Sequence, residues 1–167
     1  STPKPSSAAS DVYKRQELDR PYLMTEHGNS IGGLPLPRNT IFVSANHAQR
    51  HASAAYVHNG LDWSHYGTVD WSRRRDHFHF LAKASWKVKN VQGAIDVTYD
   101  AGVPLAVMGG RRLSIKRGFR FTWQRHASFH GMVGGAQKIN LLNASRGLIF
   151  PVSWHKPFGL ALSLIHI

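Results

Sequence analysis

The chain has 167 residues, contains no cysteine and carries a formal net charge of +12. The lack of cysteine excludes disulfides, thiolate metal sites and cysteine nucleophiles, and no run of about eighteen apolar residues is present to span a bilayer. The positive charge favours phosphate-bearing partners, which include nucleic acid, anionic lipid headgroups and a polyphosphate such as coenzyme A.

The two ends of the chain differ in composition from its middle. Residues 1–16 (STPKPSSAASDVYKRQ) are small, polar and aperiodic, and LSLIHI at residues 162–167 follows a loop-like stretch. DVYKRQ and LSLIHI resemble translated sequencing-adapter DNA, so we expect neither end to be native and exclude both from the fold prediction. Residues 17–161 are expected to form one domain that is incomplete at its C-terminus.

The first predicted strand ends shortly before a histidine. The prolines of residues 33–39 (GLPLPRN) favour an extended chain, and residues 40–45 (TIFVSA) are β-branched and apolar on both faces, which predicts a buried central strand. His47 follows this strand. Residues 48–58 are rich in alanine and predict a helix that has Asn46 as its N-cap.

An irregular connection is predicted at residues 59–76, where turn signals occur without a steady period. Residues 77–83 (HFHFLAK) then predict a second strand. In this strand His77 and His79 share one face and the phenylalanines share the other, because side chains alternate along a strand.

The rest of the chain alternates between helical and strand patterns. A helix is predicted at residues 85–102, capped by Ser85 and ended by Gly102, and a strand follows at residues 103–108. A second helix of this part is predicted within residues 131–147, ended by Gly147, with a strand at residues 148–152. The order predicts an α/β fold with a central, mostly parallel sheet and helices on its faces, in which ligands bind at the carboxyl ends of the strands.

Residues 111–125 (RRLSIKRGFRFTWQR) contain six basic residues and no acid, with Phe119, Phe121 and Trp123 at alternate positions. Three interpretations are open for the segment from Arg111 through Arg125. It could be a nucleic-acid surface, with aromatic rings that stack on bases and cations that contact phosphates. It could also be a segment that faces an anionic membrane, or a half-buried hairpin with a solvated basic face.

His47 and His51 have the i, i+4 spacing of some zinc sites. A third ligand is not evident, and eleven histidines make such pairs common by chance. We therefore predict no metal site.

Three blocks in order resemble the glycerophospholipid acyltransferase family, which includes the 1-acylglycerol-3-phosphate acyltransferases. GLPLPRNTIFVSANHA resembles the entry into the family's His-x4-Asp motif. FLAKASWKVKNVQGAIDVTYDAGVPLAV is similar to its Phe-Leu/Met-Ala-Lys segment, helix and Ala-Gly-x-x-Pro-Val strand. GLIFP stands where the family has the strand that leads into Phe-Pro-Glu-Gly-Thr-Arg. Together the blocks cover residues 33–151.

The resemblance implies that a fatty acyl group moves from acyl-CoA or acyl carrier protein to a lysophospholipid such as 1-acylglycerol-3-phosphate. His47 would be the catalytic base, and Lys83, Phe150, Pro151 and His155 would bind substrate. No bound cofactor is implied beyond the acyl donor. The protein would work peripherally at the cytoplasmic face of a membrane, against an anionic surface.

The chain departs from the family pattern at its chemistry. Ala52 stands where the family has the aspartate of its motif, and residues 152–155 (VSWH) replace Glu-Gly-Thr-Arg. A carboxylate beside a catalytic histidine fixes its tautomer and stabilises the imidazolium, so its loss predicts a rate lower by several orders of magnitude. Asp62 and Asp70 are the candidate replacements. The alternative function is a basic, non-enzymatic binding module for nucleic acid or anionic membrane at residues 111–125. A third alternative is a degenerate copy of the family that has no activity.

Overall fold

A computed structural model of the protein describes residues 21–28, 36–114, 119–154 and 158–163. Contacts within the chain divide it into two compact units, Ser1–His58 and Asn59–Ile167. The prediction of one domain over residues 17–161 stays a prediction. The proposed non-native ends lie outside the described residues, except for residues 162 and 163.

The described part of the first unit is built on two short parallel strands, β1 (Met24–Glu26) and β2 (Thr40–Phe42). The strand predicted at residues 40–45 therefore exists but is shorter. On the other side of β2, the N–H of Phe42 donates to the carbonyl of Ala55, and the N–H of Val57 donates to the carbonyl of Phe42. Hydrogen bonds on both sides make β2 central in this small sheet, as its apolar pattern predicts.

Helix α1 (Ala45–Arg50) follows β2 almost directly. A helix does begin near Asn46 as predicted, but it ends at Arg50 and does not reach residue 58. The predicted cap was wrong, because Ser44 is the N-cap and its Oγ accepts a hydrogen bond from the N–H of His47 at 3.1 Å. The helix stops early because residues 55–57 return to pair with β2, and β pairing suits Tyr56 and Val57 better than a solvated helix.

The second unit contains β3 (His77–Leu81), α2 (Val91–Asp100), β4 (Leu105–Met108), β5 (Leu113–Ser114), β6 (Arg120–Phe121), β7 (Ala127–Phe129), α3 (Gly135–Asn143), β8 (Ser145–Leu148) and α4 (Leu160–Ser163). Four of these strands form one parallel sheet in the order β7-β4-β3-β8. β5 and β6 form a separate antiparallel hairpin. The predicted α/β fold with a parallel sheet is confirmed.

The core of the second unit lies between α2 and the central strands. Ala94 and Ile95 of α2 are fully buried, and they belong to one apolar cluster with Phe80 of β3 and with Leu105 and Val107 of β4. Burying each of the larger side chains in this cluster stabilises the fold by about 2 kcal/mol. This packing holds β3 and β4 in place, and so it positions the residues that follow the carboxyl ends of these strands.

Two predicted boundaries in this unit were wrong. Ser85 does not cap α2, because a short 3-10 turn at Lys87–Lys89 intervenes and Asn90 is the cap, accepting the N–H of Gly93 at 3.1 Å. The last strand begins at Ser145 rather than at residue 148, so Gly147 lies inside it and does not end α3. Pro151 explains the early end of this strand, since proline has no N–H to donate to a ladder.

Candidate functional site

His47 lies in α1, in the first turn after β2, and its side chain is fully buried. Its ring meets Phe42 edge-on at 4.9 Å and His51 at 5.3 Å, while Phe42 and His51 stack on each other at 4.8 Å. Neither ring nitrogen of His47 has a hydrogen-bond partner among the described residues. A buried nitrogen without a partner costs about 1 to 3 kcal/mol, so a group that hydrogen-bonds to this imidazole would be stabilised there.

Burial lowers the pKa of His47 below its usual value, and the neighbouring His51 and Arg50 add to this effect. The Glu26 carboxylate and the Gly28 backbone act in the opposite direction. The imidazole is therefore neutral at pH 7. A neutral imidazole accepts a proton, which is what a general base must do.

No carboxylate contacts His47 within the described part of the first unit. Glu26 is the acidic residue there, and its Oε1 accepts the N–H of Gly28 at 2.8 Å. Ala52, at the position of the motif aspartate, is exposed and has a left-handed φ of 52°. Among the described residues of this unit, no carboxylate therefore fixes the tautomer of His47 by a hydrogen bond.

The two aspartates considered as replacements are both engaged locally in the second unit. Asp62 accepts the N–H of Ser64 at 3.0 Å and its hydroxyl at 2.6 Å, which caps the 3-10 turn Trp63–Tyr66. Asp70 makes the same pair of hydrogen bonds to Ser72, and these hydrogen bonds lower the pKa of its carboxyl. Both carboxylates therefore accept hydrogen bonds within their own turns, and no hydrogen bond joins either of them to His47 among the described residues.

Lys83 is exposed and follows the carboxyl end of β3. Its Nζ lies 5.7 Å from the ring of Trp86, and Lys89 lies 5.9 Å from the same ring and 5.0 Å from the ring of Trp154. We name Lys83, Trp86, Lys89 and Trp154 the lysine–tryptophan cluster. A cation is attracted to the face of an aromatic ring, so this cluster places two lysine ammonium groups beside two tryptophan rings.

Phe150 and Pro151 follow β8, the strand beside β3. The carbonyl of Pro151 accepts the side-chain N–H of Asn90 at 3.0 Å, and the N–H of Ser153 donates to the carbonyl of Val88 at 3.1 Å. These bonds join the segments after the two strands, so the structure brings the regions of Lys83 and Pro151 to one edge of the sheet. His155 lies outside the described residues.

Sequence reasoning missed a buried polar pair in the middle of this sheet. The Nδ1 of His79 lies 2.6 Å from the Oγ of Ser145, and both residues are buried. The alternation of residues 77–80 correctly placed His79 on one face of β3. The pairing with Ser145 depends on the register between β3 and β8, which a single sequence does not reveal.

Residues 111–125 are described except for residues 115–118. Phe119 and Trp123 are 79% and 82% exposed. Thr122, which directly precedes Trp123, is buried. Arg112 is structural, since its guanidinium donates to the carbonyls of Thr122, Gln124 and Ala127. Arg111 and Arg125 are exposed as well, so the described surface of the segment is aromatic and basic.

Comparisons with known proteins leave the chain without an assigned relative: no family model and no curated protein sequence matches it. The resemblance to acyltransferases thus stays a prediction that depends on the three sequence blocks.

Two further properties bear on the function. Among the described residues, His, Asp and Glu side chains form no group of three or more that could hold a metal ion. None of the helices in the described ranges is long and apolar enough to cross a membrane.

Proposed function

We propose that the protein is a lysophospholipid acyltransferase of low turnover. It transfers a fatty acyl group from acyl-CoA or acyl carrier protein to a lysophospholipid such as 1-acylglycerol-3-phosphate, while associated peripherally with the cytoplasmic face of an anionic membrane. The observation that carries the proposal is the buried, neutral imidazole of His47, whose two nitrogens have no partner among the described residues.

In the proposed step, a ring nitrogen of His47 takes the proton of the acceptor hydroxyl. The resulting oxygen attacks the thioester carbonyl and forms the new ester bond. The carbon–sulfur bond breaks, and the leaving thiolate takes the proton back from the imidazolium, so atoms and charges balance. Because the side chain is fully buried, neighbouring groups must first move to admit the hydroxyl. Without a carboxylate partner, the imidazolium is poorly stabilised, which is why we expect low turnover.

The lysine–tryptophan cluster supports the same substrate class. Lys83 and Lys89 place positive charge at the carboxyl edge of the parallel sheet, where α/β proteins commonly bind ligands. Lysine binds phosphate as a point charge. In the proposal, these cations take over the role that the family gives to its arginine-containing loop, and Phe150 and Pro151 also bind substrate.

The test is transfer of a labelled acyl group from acyl-CoA to lysophosphatidate by the purified chain. We expect slow transfer that His47→Ala abolishes and His58→Ala preserves, since His58 is an exposed histidine of the same unit. Lys83→Gln should raise KM, and Lys83→Arg should restore it. Equal turnover in the parent chain and His47→Ala overturns the catalytic role.

A second candidate function is that of a basic, non-enzymatic module that binds anionic membrane or nucleic acid through residues 111–125. The exposure of Phe119 and Trp123 on a segment with six basic residues favours it. Nucleic-acid binding falls steeply as salt rises, whereas burial of aromatic rings at a lipid interface persists. The salt response of binding therefore separates the two partners.

A further inference from the structure

A cavity of about 200 Å³ opens in the second unit beside the pair of strands β3 and β8. Apolar side chains make up part of its wall, namely Val69, Ile139 and Leu142. The proposed acyltransferase reaction makes no use of this cavity.

The inner part of the cavity is polar but uncharged. His79 and Ser145, which contribute to its lining, are only 4% and 7% exposed and are hydrogen-bonded to each other. Burial lowers the pKa of His79 to about 4, so the imidazole is neutral at physiological pH. A charged ligand group would therefore find no opposite charge at this end.

The positive charge lies at the outer part of the lining. Arg75 and Arg146 are both exposed, and the Nε of Arg146 donates to the carbonyl of Arg75 at 3.0 Å, which holds the two residues together. The guanidinium of Arg75 lies 5.0 Å from the ring centre of Trp71. Neither arginine forms an ion pair among the described residues, and no acidic residue contributes to the lining.

We propose that this cavity binds a small amphipathic anion, a carboxylate on a short acyl chain. The chain lies against Ile139 and Leu142, and the carboxylate stays at the mouth with Arg75 and Arg146. A volume of this size equals roughly seven waters at about 30 Å³ each, which suits a short chain whose carboxylate stays outside at the mouth. Guanidinium groups suit a carboxylate because their planar N–H donors match its two oxygens.

The test uses octanoate as the probe and the full chain, with binding measured by isothermal titration calorimetry. We expect saturable binding that the double variant Arg75→Gln/Arg146→Gln weakens by about tenfold. Arg74→Gln, an exposed arginine of the same unit that does not line the cavity, should leave binding unchanged. 1-Octanol has the same chain without the charge and should bind about tenfold more weakly.

Ile139→Trp fills the cavity and leaves both arginines in place. It should abolish octanoate binding, while an unchanged circular dichroism spectrum and Tm show that the fold is intact. The proposal is overturned if octanoate shows no saturable binding to the parent chain, if the double variant binds it equally well, if 1-octanol binds as tightly, or if folded Ile139→Trp still binds it.

Discussion

The imidazole Nδ1 of His79 and the hydroxyl of Ser145 are 2.6 Å apart inside the parallel sheet, where they join β3 to the start of β8. The hydroxyl also donates to the carbonyl of Gly147 at 3.1 Å and accepts its N–H at 3.2 Å. With its proton directed to Gly147, Ser145 accepts a hydrogen bond from the Nδ1–H of His79. The Nδ1 of His79 and the Oγ of Ser145 are therefore both hydrogen-bonded within the sheet, in an environment that keeps the imidazole neutral.

This relationship predicts a stability that depends on pH. Burial, and then the nearby His77, lower the pKa of His79 from 6.5 to about 4 in the folded protein. Between these values the unfolded chain binds more protons than the folded one, so stability falls as pH decreases from about 6.5 towards 4. We expect this group to contribute a loss of about 2 kcal/mol between pH 7 and pH 5.

The measurement is urea denaturation followed by tryptophan fluorescence, since all five tryptophans lie in the second unit. His79→Gln keeps a hydrogen-bonding group beside Ser145 but does not titrate, so the loss between pH 7 and pH 5 should shrink by about 2 kcal/mol. His65→Gln is the control, because the side chain of His65 is 79% exposed. An unchanged pH dependence in His79→Gln contradicts the prediction.

The sequence predicted the strands of the second unit better than the caps and the site. The apolar runs that became β3 and β4 are buried by α2, so local pattern and tertiary packing agree there. Ser85 and Asn90 are both residue types that cap helices, so the sequence alone does not distinguish them. Asn90 is the cap in the structure, and its φ of 52° lets the chain turn after the 3-10 segment. The polar pair of His79 and Ser145 depends on strand register, and the burial of His47 depends on packing. Neither property is encoded in a local pattern.

Gly109 allows the close approach of the chain that follows β4. Its φ is 117°, and an added Cβ would overlap the carbonyl oxygen of Ala82. Gly109→Ala should therefore reduce the free energy of unfolding by at least about 2 kcal/mol, as measured by urea denaturation. Gly134→Ala is the matched control, because its Cβ meets open space and its φ is −144°. Equal stability of the two variants would show that the backbone at Gly109 relaxes freely.

Arg112 holds the hairpin of β5 and β6 to the chain that leads into β7. Its guanidinium donates to the carbonyls of Thr122 at 2.8 Å, Gln124 at 3.0 Å and Ala127 at 2.6 Å. Arg112→Gln should cost about 2 kcal/mol of stability, because hydrogen bonds from a charged donor are strong and glutamine cannot span the same carbonyls. Arg112→Lys should recover only part of it, since an ammonium lacks the planar fork. Arg125→Gln should change stability little, and a similar loss there would contradict the assignment.

The exposed aromatic face of residues 111–125 predicts binding to anionic vesicles. Phe119→Ser/Trp123→Ser should weaken partitioning into phosphatidylglycerol vesicles by about thirtyfold, because burial of such rings stabilises the bound state by about 1 kcal/mol or more each. Trp63→Ser is the control, an exposed tryptophan elsewhere in the unit. Sedimentation at about 0.1 and 0.5 M salt should show substantial vesicle binding at both. Steeply salt-dependent binding to single-stranded DNA, without vesicle binding, would assign the surface to nucleic acid instead.

Ala52 offers the sharpest test of the catalytic proposal, because a single substitution restores the carboxylate of the motif. Its left-handed φ of 52° suits aspartate better than alanine, so Ala52→Asp should not harm the fold. A carboxylate that fixes the tautomer of His47 should raise the rate of acyl transfer by about a hundredfold or more. The readout is kcat with labelled acyl-CoA and lysophosphatidate. Ala54→Asp adds the same charge two residues further on and should bring no gain, and His47→Ala should erase the gain in the Ala52→Asp background. A gain that survives His47→Ala would mean that the added charge acts without the imidazole. If Ala52→Asp brings no gain in kcat, a carboxylate at this position does not assist His47, which contradicts the prediction.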